Sequence, residues 1–219
     1  MATPDLQLSG ARFPHPLGKI VCVGRNFAAH AAELNNPLPE VPLLFIKPAT
    51  AAADIHQPIA IPDGLGSVHH ELEITVLIGA PLTRADRASA ASAIAGIGLA
   101  LDLTLRDVQD QLKRDGHPWE RAKAFDGAFP MSEFVTADGV DLRNLSLRLW
   151  RNGALAQEGN SNQMLFPILD LVTTISHTFS LMPGDVVATG TPAGVGPLTR
   201  GDQLVATLDG LIRVETSVA

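Results

Sequence analysis

The chain has 219 residues, of which 46% are hydrophobic and 18% charged, with a formal net charge of −7. That length and apolar content support a sizeable core without covalent staples, and the acidic balance excludes the basic footprint of a nucleic-acid binder. A single cysteine excludes an intrachain disulfide framework and points to a reducing, cytoplasmic compartment.

Along the chain, Met1–Pro16 lacks a basic start followed by an apolar run, so it does not read as a secretory signal. No segment approaches the roughly 20 uninterrupted apolar residues of a membrane span, so no membrane partner is expected. Strands are expected at Lys19–Val23, Leu43–Lys47 and Glu71–Ile78. Cys22 lies in the first of these and reads as a buried, inert thiol. Ala85–Leu101 is Ala-rich and reads as a helix or as a helix followed by a strand, and Leu103–Arg114 reads as an amphipathic helix. Further strands are expected at Leu145–Arg151, Asp185–Thr189, Gln203–Thr207 and Leu211–Glu215, with a helix over Pro167–His177. Asn152-Gly153 and Asp209-Gly210 read as hairpin turns. Strands outnumber helices and do not alternate with them regularly. The expected class is therefore a strand-dominated α+β fold rather than a doubly wound parallel sheet.

Three acids stand inside apolar stretches: Glu71 and Glu73 in His69-His70-Glu71-Leu72-Glu73, and Asp102 after Leu99-Ala100-Leu101. A strand's period of two puts both glutamates on one face. The same spacing fits a solvated strand face, but Asp102 follows a run too apolar for a surface helix. Buried acids need a partner or a metal, and three oxygen donors suit a hard divalent cation, Mg²⁺ or Mn²⁺. Both His69 and His70 adjoin the pair but point to opposite faces.

Upstream, Asn26 is placed to cap a short Ala-rich helix. His30 and Glu33, three apart, share one face of it. A carboxylate beside an imidazole is the arrangement for activating a water, although an ordinary surface pair has the same spacing. Downstream, Arg106 and Gln109 share a helical face and Lys123 follows at Arg121-Ala122-Lys123; such groups hold a carboxylate or a developing oxyanion, or serve as surface charges. Thr189-Gly190-Thr191-Pro192-Ala193-Gly194-Val195-Gly196 is a Gly-rich turn without the Lys of a phosphate loop. Its N–H groups and the Thr191 hydroxyl are candidate carboxylate donors.

Taken in order, these motifs resemble the fumarylacetoacetate hydrolase family. The matching segments are Val23-Gly24-Arg25-Asn26-Phe27-Ala28-Ala29-His30, Leu44-Phe45-Ile46-Lys47-Pro48, His70-Glu71-Leu72-Glu73, Asp102-Leu103-Thr104-Leu105-Arg106-Asp107, Ala122-Lys123-Ala124-Phe125-Asp126 and Thr189–Gly196. The segment from Arg106 through Pro118-Trp119 looks like the small branch of acylpyruvases and oxaloacetate decarboxylases. Phe27 stands where the family usually has Tyr. The resemblance implies a mixed β-roll with short helices, one catalytic domain over residues 17–219 after an N-terminal extension over 1–16, and a homodimer. It implies Glu71, Glu73 and Asp102 as ligands of Mg²⁺ or Mn²⁺, with His30, Glu33 and Lys123 as catalytic residues. Arg25, Arg106, Gln109 and Thr191 are then the candidate substrate-binding residues. The implied substrate is a small 2-oxo acid. Because the His–Glu pair would activate a water, hydrolytic C–C cleavage of a 2,4-dioxo acid to pyruvate and a carboxylic acid is the leading expectation. Oxaloacetate decarboxylation and keto–enol tautomerisation at the same metal site are the alternatives, and an inactive carboxylate-binding module is a further one.

Overall fold

A computed structural model describes residues 3–219. Its centre is an eight-stranded mixed sheet. The order runs Leu43–Lys47, Ile20–Gly24, Val186–Ala188, Leu72–Ile78, Ile94–Leu101, Phe129–Met131, Ala52–Asp54, with Val135–Thr136 beside Ile94–Leu101. Two of its pairings are parallel, Val186–Ala188 with Ile20–Gly24 and Phe129–Met131 with Ala52–Asp54. An antiparallel four-stranded sheet follows the order Ala154–Asn160, Ser146–Arg151, Gln203–Leu208, Ile212–Ser217. The strand-dominated α+β reading therefore holds.

The strand Leu72–Ile78 is buried along its whole length, and its alternation sorts it into two layers. Leu72, Ile74 and Val76 join the main apolar cluster, which includes Leu147 and Leu149 of the four-stranded sheet. Leu77 joins a second cluster with Ile20, Cys22, Ala100 and Ala188. Glu73 and Thr75 share the face of Leu77, so the acid faces away from the main core. Cys22 is fully buried, and burial pushes its thiol pKa up, consistent with an inert side chain. In the N-terminal segment, Gln7–Leu8 pairs with Ala11–Arg12, and Leu6 and Phe13 close over the second cluster.

Several local expectations shift. Ala85–Leu101 is a helix, Arg87–Ala93, that passes directly into the strand Ile94–Leu101. Leu103–Arg114 is not helical throughout: Thr104–Leu105 pairs with Val68–His70, and the helix begins at Arg106 and runs to Asp115. The apolar Leu103 and Leu105 are buried in the main cluster instead of on a helix face, and Gly116, at φ 67°, ends the helix in the left-handed conformation. Asn152 and Gly153 take φ of 52° and 80°, the two positive values of a type I′ hairpin. Its second strand, Ala154–Asn160, has no clean apolar alternation and is not visible in the sequence. Asn26 does not cap the helix Ala28–Glu33, whose N-cap is Phe27 with no side-chain bond.

Candidate active site

The three acids come together at one edge of the pairing between two central strands. In this ladder Leu72 faces Leu101 and Glu73 faces Ala100. Glu71 lies just before its strand rather than within it, and its carbonyl accepts from the Asp102 N–H at 2.8 Å. Carboxylate oxygens of Glu71, Glu73 and Asp102 all lie within 4.8 Å of one another, and all three residues are buried. The solvated-strand reading of the Glu pair is therefore replaced by a buried cluster.

Three cations offset the acids. Lys123 Nζ donates to Glu71 Oε2 at 2.9 Å and to Asp102 Oδ2 at 2.6 Å. Arg106 Nη2 pairs with Glu71 Oε1, and its Nη1 donates to Gln109 Oε1 at 2.7 Å. The third is Lys47, which is completely buried and lies 2.8 Å from Asp102 Oδ1. Its ammonium also donates to the backbone carbonyl of Lys123, to that of Ala128 at 3.1 Å, and to that of Leu103 at 3.4 Å. Sequence reading gave Lys47 no role. The available signal was a lysine closing the apolar run Leu43-Leu44-Phe45-Ile46, since lysine is almost never buried without a partner.

The electrostatics separate the acids. Burial raises the Glu71 carboxyl, but Lys123, Arg106 and His30 overcome it and hold the pKa well below the ordinary value. Burial, then Asp102 and Glu71, push Glu73 well above its ordinary value, against the charge of Lys123 and the Gly190 N–H. Lys123 loses from burial but gains more from Asp102 and Glu71, so it stays firmly protonated. Asp102 Oδ1 is buried and accepts no hydrogen bond, because Lys47 Nζ is near it without hydrogen-bond alignment. An all-oxygen donor set with an unbonded buried oxygen, and a glutamate that burial drives toward protonation, together fit a hard divalent cation.

The Gly-rich turn does bind carboxylates, but they are the chain's own. Gly190 N–H donates to Glu73 Oε2 at 2.8 Å and Gly194 N–H to Glu33 Oε1 at 3.0 Å. Both glycines are required. Gly190 has φ 96°, and a Cβ there would lie 2.6 Å from Asn26 Cβ; Gly194 has φ 97° and abuts the Ala156 carbonyl. The Thr191 hydroxyl donates to Leu72 O and accepts from Gln157 Nε2, both at 2.8 Å. Gln157 Oε1 in turn accepts from Leu72 N–H at 2.9 Å and pairs with His70 Nδ1 at 3.0 Å. Asn26 ties the other side of the turn, donating to Thr189 O at 2.7 Å and to Phe166 O at 3.0 Å. Neither Gln157 nor Asn26 stands out as a site-building residue in the sequence, because their partners lie at least 34 residues away.

His30 is buried on the helix Ala28–Glu33. Its Nδ1 lies 3.4 Å from Glu33 Oε2, longer than a well-formed bond. Burial lowers the His30 pKa, partly opposed by Glu71 and Glu33, so the ring is neutral at physiological pH. A small cleft brings together His30, Arg25, the three acids, Arg106, Gln109, Lys123 and Thr191, with Phe45, Trp119 and Lys113 on its walls. Of the candidate catalytic, substrate-binding and metal-binding residues, only Glu33 does not line it. A larger groove of about 740 Å³, formed by Thr3–Gln7, Ala53, Asp54, His56–Ala60, Gly127 and Pro130–Phe134, contains none of them.

The fumarylacetoacetate (FAA) hydrolase C-terminal family matches residues 19–219. An oxaloacetate tautomerase of Escherichia coli (strain K12) is 51% identical over 203 residues, covering 92% of this chain and 93% of that protein. The mitochondrial oxaloacetate tautomerase FAHD1 of Homo sapiens is 40% identical over 91% of this chain and 90% of its own length. Among solved structures, a fumarylpyruvate hydrolase from Pseudomonas aeruginosa in complex with Mn²⁺ and pyruvate superposes with a TM-score of 0.93. It is 33% identical and covers 100% of this chain and 97% of its own. The leading expectation of acylpyruvate hydrolysis is thus less well supported than its oxaloacetate alternative. With the family match spanning almost the entire sequence and the strand-dominated fold in place, this chain belongs to the fumarylacetoacetate hydrolase family.

Proposed function

We propose that this protein is a divalent-metal-dependent tautomerase that interconverts the keto and enol forms of oxaloacetate. The observation that carries this reading is the 51% identity to an oxaloacetate tautomerase across 92% of the chain, in a molecule whose cleft joins a buried acid cluster to a neutral histidine. Glu71, Glu73 and Asp102 would hold the cation, Mg²⁺ or Mn²⁺, which when bound supplies Lewis-acid polarisation of the 2-oxo group.

Enolisation moves one proton from C3 to the C2 oxygen. His30 is the base for the C3 proton, because burial keeps it neutral and ready to accept. Glu33 sits beside the ring and stabilises the imidazolium formed. The Lys123 ammonium, held protonated by its acids, supplies a hydrogen bond where negative charge develops on oxygen. The imidazolium then returns its proton to that oxygen, and ketonisation runs the same steps backward. Arg106 and Gln109 line the same cleft, where they would orient the carboxylate next to the 2-oxo group.

The test is to follow the ultraviolet absorbance of enol-oxaloacetate with protein and Mg²⁺ or Mn²⁺, with and without chelator. Metal-dependent acceleration of enol loss is expected. A second reading, hydrolysis of a 2,4-dioxo acid, draws on the His30–Glu33 pair and the fumarylpyruvate hydrolase relative. Faster cleavage of acetylpyruvate or fumarylpyruvate than tautomerisation of oxaloacetate, in parallel assays, would replace the first reading with the second.

A further inference from the structure

The cleft carries a second charged region that the acid cluster does not neutralise. Arg25 and Lys113 line it beside Arg106, Asn36 and Trp119. The Arg106 charge is paired with Glu71, while its Nη1 donates to Gln109. That of Arg25 is not. Among the described residues it enters no ion pair, and partial burial lowers its pKa. Its backbone holds φ at 60°, a left-handed conformation that a long side chain seldom adopts and that concentrates at functional sites. Lys113 reaches the cleft from the helix Arg106–Asp115, with Nζ 5.8 Å from the Trp119 ring centroid. Its one acidic partner, Asp110, is 3.8 Å away. The three cations Arg25, Arg106 and Lys113 line one small cleft, and burial with the charges of Arg106 and Arg25 lowers the Lys113 pKa against Asp110.

Like charges brought together in a half-buried cleft repel unless an anion joins them. We propose that Arg25 and Lys113 form a subsite for a distal carboxylate, making the enzyme selective for 2-oxo dicarboxylates over 2-oxo monocarboxylates. With the 2-oxo end of the substrate at the acid cluster, the carboxylate at the far end would meet this pair. The subsite deepens the tautomerase reading and rests on it for the placement of the substrate's reacting end.

Calorimetry of the Mn²⁺-loaded protein with L-malate and L-lactate tests the subsite without turnover. Both ligands present a carboxylate with an adjacent hydroxyl, and only malate carries the distal carboxylate. Wild type is expected to bind malate at least about tenfold more tightly than lactate, the scale of one charge-assisted contact. Lys113→Met and Arg25→Met should each shrink that gap toward unity, and Lys113→Arg should restore it. Far-ultraviolet circular dichroism of each variant checks that the fold is retained. Equal affinity for the two ligands in wild type, no measurable malate binding, or a gap that survives both Met variants overturns the subsite. A failure of the tautomerase reading is seen separately, as the absence of metal-dependent enol loss with oxaloacetate.

Discussion

Two regions of this molecule concentrate opposite charges, with opposite consequences. On the four-stranded sheet, Arg148 bridges Glu158 on one neighbouring strand and Asp209 in the turn after the other, at 2.6 Å each. At the cleft, Lys47, Lys123 and Arg106 bridge Asp102 and Glu71 at comparable separations, but all five side chains are almost fully removed from water. Water screens the first group, so its members are close to interchangeable with other polar residues. In the second, the loss of one member strands a charge in a medium that cannot solvate it. The comparison separates charges that decorate the surface from charges that set chemistry.

The largest expected effect is at Glu73. Glu73→Ala removes one of three donors, and calorimetric titration with Mn²⁺ should show loss of binding together with loss of oxaloacetate turnover. Retained metal affinity would place the cation elsewhere. Next, His30→Ala should lower kcat by about 10²–10⁴-fold, the usual contribution of a positioned acid–base group, while metal affinity is kept. Lys47→Met keeps the length of the side chain and removes its charge, so three backbone carbonyls lose a donor and Asp102 keeps only Lys123 as its cation. Urea unfolding should show a loss of about 3–5 kcal/mol, the scale for breaking a buried pair. The smallest effect belongs to Arg148→Ala, where the thermal midpoint should move by no more than about 2–4 °C. A larger drop there than in Lys47→Met would invert the comparison.

Acidification probes the same contrast. Burial lowers the pKa of His30, His69 and His70 from the ordinary 6.5. Below about 6.5 the unfolded chain therefore binds more protons at these sites than the folded one. Their contribution to stability is complete above 6.5 and is lost as pH falls toward the folded values. The acid limb of the tautomerase profile should likewise have its midpoint below 6.5 and disappear in His30→Ala. A midpoint above 6.5 would remove His30 from the role of base.

Much of this could be read from the sequence, for local reasons. Glu71, Glu73 and Asp102 are conspicuous because an acid in an apolar run is unusual, and the hairpin at Asn152-Gly153 is written in its two turn residues. What escaped depends on contacts distant in the chain. Lys47 meets Asp102 from 55 positions upstream, and its strand alone does not show what neutralises it. Leu103 and Leu105 carry the apolar spacing of a helix face, yet pairing with Val68–His70 extends the chain there. Thr191 was a candidate substrate donor, but its hydroxyl is engaged by Leu72 and Gln157, a residue whose neighbours announce nothing.

The backbone bond from Asp102 to Glu71 has a consequence for how such a protein acquires new substrates. It lies one residue beyond the end of the ladder that joins Leu72–Ile78 to Ile94–Leu101. The separation of two ligands is thus gauged by the central sheet itself, and the Asp102 amide should exchange with deuterium only when that sheet opens. Drift at this point would unzip the interior before it altered catalysis. Arg25 and Lys113 stand instead on a turn and an outer helix. Variation is tolerated at such margins, so diversification of the reaction would be written at the rim while the centre stays in register.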